Sequence, residues 1–157
     1  MIGFGYDIHR LAPGESLIIG GVHFPDSPVG TVAHSDGDVL VHAIIDALLG
    51  AKALGDIGAH FPDTDPQHKN ASSIELLRKV AKMIEGTGAR IVNIDSTVVL
   101  ERPKLLASIG AMRKNVAEAL GLDITKISVK ATTSERIGFV GREEGIAAYA
   151  VCQLQSE

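Results

Sequence analysis

The chain has 157 residues, of which 45% are hydrophobic and 22% charged, and its formal net charge is −4. This length and apolar content fit one folded domain, residues 1–157, and exclude a disordered chain. The negative charge argues against nucleic acid or an anionic membrane as the main partner, and no apolar run is long enough to span a bilayer.

The first third of the chain is predicted to form strands and then one long helix. Ile2 to Arg10 reads as a strand, and Gly20-Gly21 is typical of a two-residue hairpin turn between two short apolar strands. Asp38 lies where an N-cap is expected. A helix is predicted from Val39 to about Leu54, because apolar residues recur there at helical spacing.

An irregular segment and a second helix are predicted next. Gly55 to Ala71 is rich in Asp, Pro and Gly, and a loop of that length inside a compact domain is usually functional or mobile. Ser72-Ser73-Ile74-Glu75 has the spacing of a capping box. We therefore expect a helix that begins at Ser72 and ends near Gly86.

The second half of the chain is predicted to contain three strands and a third helix. Arg90 to Leu100 alternates and is β-branched, which favours a strand. Pro103 is expected to begin a helix that runs to Leu120 and stops at Gly121. Further strands are predicted at Lys126 to Thr132 and Gly145 to Leu154. Strands beside helices predict a two-layer α/β sandwich.

The single cysteine is informative about the cellular compartment of the protein. Cys152 excludes an internal disulfide, agrees with a reducing cytosol and is expected to be a buried apolar side chain. The apolar segment that starts at Ile2 has no basic region before it, so no signal or transit peptide is expected. We predict a cytoplasmic protein.

Three residues are candidate ligands of a metal ion. Asp7 and His9 are two apart on the first strand, so both side chains point to the same face. His42 is one turn into the predicted helix, on a polar line with Asp38 and Asp46. Two imidazoles and a carboxylate with an open fourth position are what a catalytic zinc site requires. Asp46, at i+4, is expected to orient the His42 ring.

Two other kinds of metal site remain open on the residue pattern. His34 could close a structural zinc site as a fourth ligand. Two histidines and one carboxylate also form the facial triad of Fe(II) oxygenases. That triad usually reads His-x-Asp on an all-β barrel, whereas here the order is reversed and the third ligand is helical. The pattern favours zinc without excluding either alternative.

The second candidate site is a set of phosphate-binding segments. Lys130 to Glu135 places three hydroxyls and a carboxylate just past a strand end, which suits a diphosphate bridged to Glu135 by Mg²⁺ or Mn²⁺. Taken alone, the segment is more typical of a Ser/Thr-rich turn with an exposed Glu. Pro103-Lys104 at a predicted helix start would offer N–H groups and a cation to an anion. Gly138 to Arg142 adds an aromatic and an arginine that is expected to pair with Glu144.

Taken in order, these segments resemble the 2-C-methyl-D-erythritol 2,4-cyclodiphosphate synthase family from residue 1 to about 155. The matching segments are Gly5-Tyr6-Asp7-Ile8-His9, His34-Ser35-Asp36-Gly37-Asp38, Asp56-Ile57-Gly58, Phe61-Pro62-Asp63-Thr64-Asp65, Pro103-Lys104, Lys130-Ala131-Thr132-Thr133 with Glu135, Gly138-Phe139, Gly141-Arg142 and Glu144-Gly145. Two positions depart from the family. Glu101 stands where Gln is frequent, so that contacts in the cytosine pocket are expected to be altered, and Ser134 stands where Thr is commoner.

The resemblance implies an assembly and a reaction. Members have a mixed four-stranded sheet with helices packed on one face, and form homotrimers with active sites between neighbouring subunits. They are phosphorus–oxygen lyases of non-mevalonate isoprenoid precursor synthesis. They convert the cytidine diphosphate-linked substrate 4-diphosphocytidyl-2-C-methyl-D-erythritol 2-phosphate to the 2,4-cyclodiphosphate and CMP. An isoprenoid diphosphate is expected on the trimer axis, near Phe139 and Arg142.

The resemblance also implies roles for single residues. One Zn²⁺ per subunit would be held by Asp7, His9 and His42, and a second cation, Mg²⁺ or Mn²⁺, by Glu135; His34 and Thr133 would stabilise the transition state. The erythritol part would meet Asp56, Ile57, Gly58, Phe61, Pro62, Asp63, Thr64 and Asp65. The cytidine part would meet Leu100, Glu101, Arg102, Pro103, Lys104, Leu105, Leu106, Ala131, Thr132 and Thr133. Further substrate contacts are expected from Asp7, His9, His34, Ser35, Ser134, Glu135, Phe139 and Arg142.

Predictions remain for three further histidines and for two alternative functions. His23, His60 and His68 match no family role and are expected at the surface. A metal-dependent phosphohydrolase would use many of the same residues with water as the nucleophile. A zinc-stabilised trimer that senses isoprenoid diphosphates without turnover is the non-enzymatic alternative.

Overall fold

The computed structural model describes residues 1–156. Seven β-strands and five α-helices, with single 3₁₀ turns between some of them, make up this part of the chain. The strands are β1 Ile2–Pro13, β2 Ile18–Ile19, β3 Val22–His23, β4 Val29–Thr31, β5 Ala89–Val99, β6 Ile127–Thr132 and β7 Gly145–Ser156. The helices are α1 Val39–Ala51, α2 Ile57–His60, α3 Ser73–Gly86, α4 Ile109–Leu120 and α5 Gly138–Gly141.

The main sheet is mixed, with the strand order β4-β1-β7-β5-β6. Only β5 and β6 run parallel, and the other neighbours are antiparallel. The predicted α/β class with a mixed sheet is confirmed. The four long strands are joined by a fifth that the sequence did not predict. It forms because β1 continues past Arg10, which gives Val29–Thr31 an edge to pair with. None of the described helices is long and apolar enough to cross a membrane.

Two glycines of β1 set the distance between the sheet and α1. A Cβ atom on Gly3 would lie 1.8 Å from the carbonyl oxygen of Ala47, and one on Gly5 would lie 1.9 Å from that of Ala43. Such distances are far inside van der Waals contact, so no other residue fits while the helix stays where it is. The absence of side chains at these two positions lets the helix backbone rest directly on the strand.

α1 is the central helix of the core. Ten of its thirteen residues are buried, and Leu40, Ile44 and Leu48 have no exposed surface at all. Each such side chain contributes about 1.5–3 kcal/mol of transfer free energy when fully buried. Cys152 of the central strand β7 also lies in this core, as predicted, with its thiol 3.2 Å from the Ala47 carbonyl oxygen. The helix is therefore held by apolar burial on the side that faces the sheet and on the side that faces α3.

Asp38 joins the N-terminus of α1 to the β2–β3 hairpin. Its Oδ1 accepts hydrogen bonds from the Gly20 N–H at 2.9 Å and the Val41 N–H at 3.1 Å, and its Oδ2 accepts from the Gly21 N–H at 2.7 Å. Gly20 and Gly21 both have positive φ, 58° and 71°, as the predicted hairpin turn requires. Complete burial raises the pKa of Asp38 to about 6, against the opposing effect of these three donors. The predicted N-cap and hairpin are both present.

Two predicted helix ends differ in the structure. α1 stops at Ala51 rather than Leu54, because Ala53 turns to a positive φ of 55°. The capping box at the start of α3 does not form, since the Ser72 side chain makes no capping bond. A carboxylate from a distant loop replaces it: the Ser73 N–H donates to Asp36 Oδ2 at 2.8 Å. Local spacing predicted the right helix and the wrong cap.

The prediction that Pro103 begins a helix is wrong. A 3₁₀ turn at Leu106–Ser108 precedes α4, which starts only at Ile109. The chain first follows the end of β6, where the Leu100 N–H donates to the Thr132 carbonyl at 3.0 Å, and then buries Leu105 in the core. These tertiary contacts draw the segment out of helical conformation, so that Lys104 lies in a loop.

The face of β1 and β7 opposite the helices carries a strip of exposed apolar side chains. Tyr6 and Tyr149 pack with ring centroids 5.1 Å apart, and Phe4 lies 6.5 Å from Tyr149. Exposed apolar surface of this extent usually marks an interface with another protein molecule. We refer to these residues as the apolar strip: Ile2, Phe4, Tyr6, Ile8, Tyr149 and Val151.

The contact between Gly5 and α1 can be tested by substitution. Gly5→Ala should lower the free energy of unfolding by about 1–3 kcal/mol or more, because its methyl group must push the Ala43 carbonyl away. Urea unfolding followed by circular dichroism measures this. The control is Gly110→Ala at an exposed position of α4, where a Cβ meets no atom within 4 Å and should stabilise the helix by about 0.5–1 kcal/mol. Equal unfolding midpoints for the two variants would contradict the packing argument.

Candidate functional site

Asp7, His9 and His42 meet at one point between β1 and α1. Asp7 Oδ2 lies 3.0 Å from His9 Nε2 and 3.1 Å from His42 Nδ1, and the two imidazole nitrogens are 3.2 Å apart. Asp7 and His9 share the helix-facing side of β1 with Gly3 and Gly5, as strand alternation requires. The close approach of α1 brings His42 to the same point, so the predicted convergence of these three residues is present.

The size and chemistry of this triangle suit a metal ion. An ion held about 2.0–2.1 Å from nitrogen and oxygen ligands in tetrahedral geometry keeps those atoms roughly 3.3 Å apart. The observed separations of 3.0 to 3.2 Å are close to this value. Within residues 1–156, Asp7, His9 and His42 form the one group of three or more His, Cys, Asp or Glu side chains able to converge in this way.

The electrostatic environment of the triangle is negative. Burial works to raise the pKa of Asp7, but hydrogen bonds to His42 and His9 outweigh it and lower that pKa to about 2. Burial likewise opposes protonation of His42, yet Asp7, Asp38 and Asp36 together raise its pKa. The site thus gathers carboxylates around the buried imidazole of His42, an arrangement that a bound cation would neutralise.

The second nitrogen of His42 is held by serines rather than by Asp46. His42 Nε2 lies 2.8 Å from Ser73 Oγ and 3.3 Å from Ser35 Oγ. Asp46 instead accepts a hydrogen bond from the Ile57 N–H at 2.7 Å, which ties α2 to α1. The prediction that Asp46 orients the ring is therefore wrong, because a free N–H at the start of α2 takes its carboxylate.

A cavity of about 260 Å³ opens from the triangle and contains much of the predicted erythritol site. His34 lines this cavity, and its Nε2 lies 3.4 Å from the Asp65 carbonyl oxygen. His34 is not part of the triangle of Asp7, His9 and His42. This position favours an open fourth coordination site over a zinc site closed by His34. The lining residues are Asp7, His9, Val32, Ala33, His34, Ser35, His42, Ile57, Gly58, Phe61, Asp63, His68 and Leu76.

Other predicted erythritol residues shape the loop around this cavity. Asp56 caps α2 by accepting from the Ala59 N–H at 2.9 Å. Asp65 caps the following 3₁₀ turn through the Gln67 N–H at 2.9 Å. The Asp65 N–H in turn donates to the Pro62 carbonyl at 3.0 Å, which closes a turn that includes Thr64. In this chain these residues are structural parts of the loop, and they do not line the cavity.

His68 is a cavity residue that the sequence did not reveal. Its ring packs edge-on against Phe61 with centroids 5.5 Å apart, and its Nε2 lies 3.7 Å from Asp65 Oδ2. His60 is half-buried and bonds to the Leu54 carbonyl at 2.8 Å, whereas His23 is exposed. The surface prediction is thus right for His23 and wrong for the other two. The one sequence feature that could have indicated His68 is its position in the same Asp- and Pro-rich loop as Phe61.

A second pocket, of about 370 Å³, lies between β6 and the loop that precedes α4. Its walls are largely apolar, and Lys104, Thr132 and Thr133 are polar residues among those that line it. It brings together most residues predicted for the cytidine part, but not Glu101 or Arg102. The lining residues are Leu100, Pro103, Lys104, Leu105, Leu106, Ile109, Val129, Lys130, Ala131, Thr132 and Thr133.

An open polar concavity adjoins this pocket. Lys104 and Thr133 line both, and Glu135 lines only the concavity. Arg102 lies there in a bidentate ion pair with Glu143, at 2.6 and 2.7 Å. Glu135 is exposed and has a positive φ of 54°. Cationic, hydroxyl and carboxylate groups thus lie next to the apolar pocket, as expected beside a diphosphate.

Two further predicted residues lie apart from these cavities. Arg142 pairs with Glu144 at 3.0 Å, as the sequence predicted. Phe139 packs beside Gly145, where a Cβ would lie 3.1 Å from its ring. Neither residue lines the cavity that opens from the Asp7, His9 and His42 triangle, which we call the metal cavity, or the pocket beside β6.

The metal cavity and the pocket beside β6 are separate within one chain. Asp7, Ala148, Val98 and Ala131 lie side by side on β1, β7, β5 and β6. Three interstrand spacings of about 4.8 Å separate the first from the last, or roughly 14 Å. The two cavities share no lining residue.

Comparison with known proteins identifies the family. The YgbB family matches residues 1–155. This chain belongs to the YgbB family. A protein of Chlorobaculum tepidum named 2-C-methyl-D-erythritol 2,4-cyclodiphosphate synthase is 57% identical over 155 residues, which are 99% of this chain and 98% of the relative.

Solved structures agree with this membership of the YgbB family. A CDP-bound structure of 2C-methyl-D-erythritol-2,4-cyclodiphosphate synthase is 39% identical, with a TM-score of 0.90, and covers 99% of this chain and 100% of the other. The bifunctional IspDF of Campylobacter jejuni is 44% identical, with a TM-score of 0.94, and covers 99% of this chain. The match spans 42% of that longer protein.

Glu101, where the resemblance led us to expect Gln, contacts a loop rather than the pocket beside β6. Its Oε1 accepts from the Ser134 N–H at 2.8 Å, the Ser134 hydroxyl at 3.2 Å and the Arg136 N–H at 3.4 Å. Glu101 therefore braces the turn that carries Thr133 and Glu135. All three bonds end on one oxygen, so the amide oxygen of a glutamine can serve the same purpose.

The metal site yields a test on His42. His42→Ala should remove most of the zinc expected at the triangle, because it deletes one of the three predicted ligands. Elemental analysis of the purified protein, dialysed against dilute zinc, measures the loss. The exposed His23→Ala is the control and should keep the parent's zinc content. Unchanged stoichiometric zinc in a folded His42→Ala protein would exclude this residue as a ligand.

Proposed function

We propose that this chain is a phosphorus–oxygen lyase that cyclises 4-diphosphocytidyl-2-C-methyl-D-erythritol 2-phosphate to the 2,4-cyclodiphosphate, with release of CMP. The observation that carries the proposal is the presence of two half-sites: a triangle of candidate metal ligands in one cavity, and a largely apolar pocket whose polar lining residues include Lys104, Thr132 and Thr133. Relatives that match over nearly their whole length carry this enzyme name, and a structural relative is described with CDP bound.

We assign Zn²⁺ to Asp7, His9 and His42, one ion per subunit, and a second cation, Mg²⁺ or Mn²⁺, to Glu135. Two imidazoles and a carboxylate with an open position are typical of zinc, and a lone carboxylate beside phosphates is typical of magnesium. When bound, such ions neutralise phosphate charge and polarise phosphoryl oxygens. The all-β fold expected of the Fe(II) alternative is absent from the described residues, which supports the assignment of zinc.

The chain's own residues would bind and fold the substrate. Asp63, with the backbone of Gly58, would hold the erythritol hydroxyls in the metal cavity, which both residues line. The pocket beside β6 would take the cytosine and ribose, with Lys104 near the diphosphate. His34 and Thr133 face these spaces and would donate hydrogen bonds to oxygens that gain charge in the transition state. Holding both ends of the substrate lowers the orientational cost, an effect that reaches ~7–11 kcal/mol in favourable cases.

The reaction balances without an external base. An oxygen of the 2-phosphate attacks the diphosphate phosphorus nearest the erythritol, and the bond from that phosphorus to the CMP oxygen breaks, so that CMP leaves with the electron pair. The second pKa of a phosphate monoester is about 6, so the nucleophile is already an anion near neutral pH. Positioning and charge neutralisation are therefore what the protein must supply.

We further propose a homotrimer with active sites between subunits. Two observations support it. The apolar strip is exposed in the single chain, and roughly 14 Å separates Asp7 of the metal triangle from Ala131 of the pocket beside β6 in the same chain. A neighbouring subunit would bring its pocket beside β6 to this chain's metal cavity. A single domain, a cytoplasmic location and an isoprenoid diphosphate near Phe139 and Arg142 stay predictions.

Subunit complementation tests this arrangement. His42→Ala damages the metal half, and Lys104→Ala weakens binding of the cytidine diphosphate group, so each variant alone should release little CMP. Co-expressed with different tags, the two should recover activity, because about one in three sites of a mixed trimer combines two intact halves. CMP release by assemblies purified through both tags measures the recovery.

The matched control for complementation damages the same half twice. Co-expression of His42→Ala with Asp7→Ala should restore nothing, since every site then contains an altered metal triangle. Doubly tagged assemblies of His42→Ala and Lys104→Ala that release no more CMP than either variant alone would place both halves of a site on one chain, against the proposal.

Turnover in ¹⁸O-labelled water separates the cyclase from the phosphohydrolase. If the substrate's own phosphate attacks, no solvent oxygen enters either product, whereas a metal-activated water would put one into a phosphate for each bond cleaved. Mass spectrometry of CMP and the erythritol product reads the label. We expect an unlabelled cyclic diphosphate, and a labelled linear product formed directly would refute the proposed reaction.

A further inference from the structure

Ser73 is fully buried at the start of α3 and stands between a carboxylate and a proposed metal ligand. On one side its hydroxyl and its N–H both bond to Asp36, Oγ to Oδ1 and N to Oδ2, the latter at 2.8 Å. On the other side its Oγ lies 2.8 Å from His42 Nε2. The neighbouring Ser72 is exposed, and its side chain makes no capping bond.

The direction of these bonds follows from the chemistry of the groups. A carboxylate only accepts hydrogen bonds, so the Ser73 hydroxyl donates its one proton to Asp36. The Ser73 oxygen then has only lone pairs to offer to His42, so it must accept a hydrogen bond from Nε2–H. Once Nε2 carries the proton, a neutral imidazole has its free lone pair on Nδ1, and Nδ1 is the atom that faces Asp7 and His9.

We propose that the Asp36–Ser73 pair is a positioning device which fixes the Nε2–H tautomer and the ring orientation of His42, and so prepares Nδ1 to bind the metal ion. Partners of this kind raise metal affinity by restraining a ligand before the ion arrives. The inference rests on the proposed metal role of His42 and adds to it two residues that do not touch the ion.

Ser35 is the alternative partner for His42 Nε2. Its Oγ is 3.3 Å away, compared with 2.8 Å for Ser73, and it accepts a weak bond from the Gly37 N–H at 3.4 Å. No carboxylate takes the Ser35 proton among the contacts of the described residues. Its hydroxyl can therefore rotate and either donate or accept, so it does not impose a tautomer.

Zinc affinity measures the proposal without use of turnover. Ser73→Ala removes only the hydroxyl and keeps the N–H bond to Asp36, and it should weaken zinc binding about 10–100-fold in competition with a chromophoric chelator. Ser72→Ala should bind zinc as the parent does, and Ser35→Ala should lose less than Ser73→Ala. A folded Ser73→Ala protein with the parent's zinc affinity would overturn the proposal.

A spectroscopic test on the unaltered protein holds whether or not Ser73→Ala folds. In zinc-loaded protein labelled with ¹⁵N-histidine, His42 should show a proton on Nε2 that is protected from exchange with water and correlates with the Ser73 Hβ protons. A His42 protonated on Nδ1, or an Nε2 proton that exchanges as fast as that of exposed His23, would overturn the proposal. If the parent protein binds no zinc at all, it is the proposed function that fails.

Discussion

The close contact between α1 and the glycines of β1 is the constraint on which the rest of the structure depends. The helix backbone rests where side chains of Gly3 and Gly5 would otherwise stand. That contact lowers α1 onto the sheet, and so brings an imidazole from the helix within hydrogen-bond distance of the carboxylate on the strand. Had either glycine carried even a methyl group, α1 would have to move, and the three ligand atoms would no longer meet. The packing of the core and the geometry of the site therefore both require the same close contact between α1 and β1.

The segment from His34 to Asp38 shows how neighbouring polar residues solve different problems. The buried Asp38 accepts three backbone hydrogen bonds and fixes the hairpin against the start of α1. Asp36, two residues earlier, points the other way and takes the hydroxyl and N–H of Ser73. Both carboxylates also contribute to the raised pKa of His42. This short polar segment thus fixes the hairpin, supports His42 through Ser73 and adds negative charge near the site. Gly37, with a positive φ of 70°, lies between Asp36 and Asp38 and lets their side chains point in different directions.

Much of this could be predicted from the sequence, and what failed did so for a common reason. Strand alternation correctly placed Asp7 and His9 on one face, and helical spacing gave the core face of α1, because both follow from local geometry. The Ser72 cap, the helix start at Pro103 and the role given to Asp46 were wrong. In each case a group distant in sequence made the contact: Asp36, the end of β6 and the first turn of α2. His68 was missed because its place depends on how a loop folds back. No local pattern contains such information.

The order of strands in the sheet has a consequence for synthesis of the chain. β7 is the last strand described, yet it lies in the middle, between β1 and β5, and Ile2 pairs with Gln153. At ~5–20 residues per second, a ribosome makes the partner of β1 roughly 7–30 s after β1 itself. During that interval the nascent chain holds a glycine-containing strand with an unpaired edge and an uncovered apolar face. The twelve residues of β7 complete the sheet by filling the gap between β1 and β5. Chaperone occupancy of the nascent chain should be highest just before they emerge.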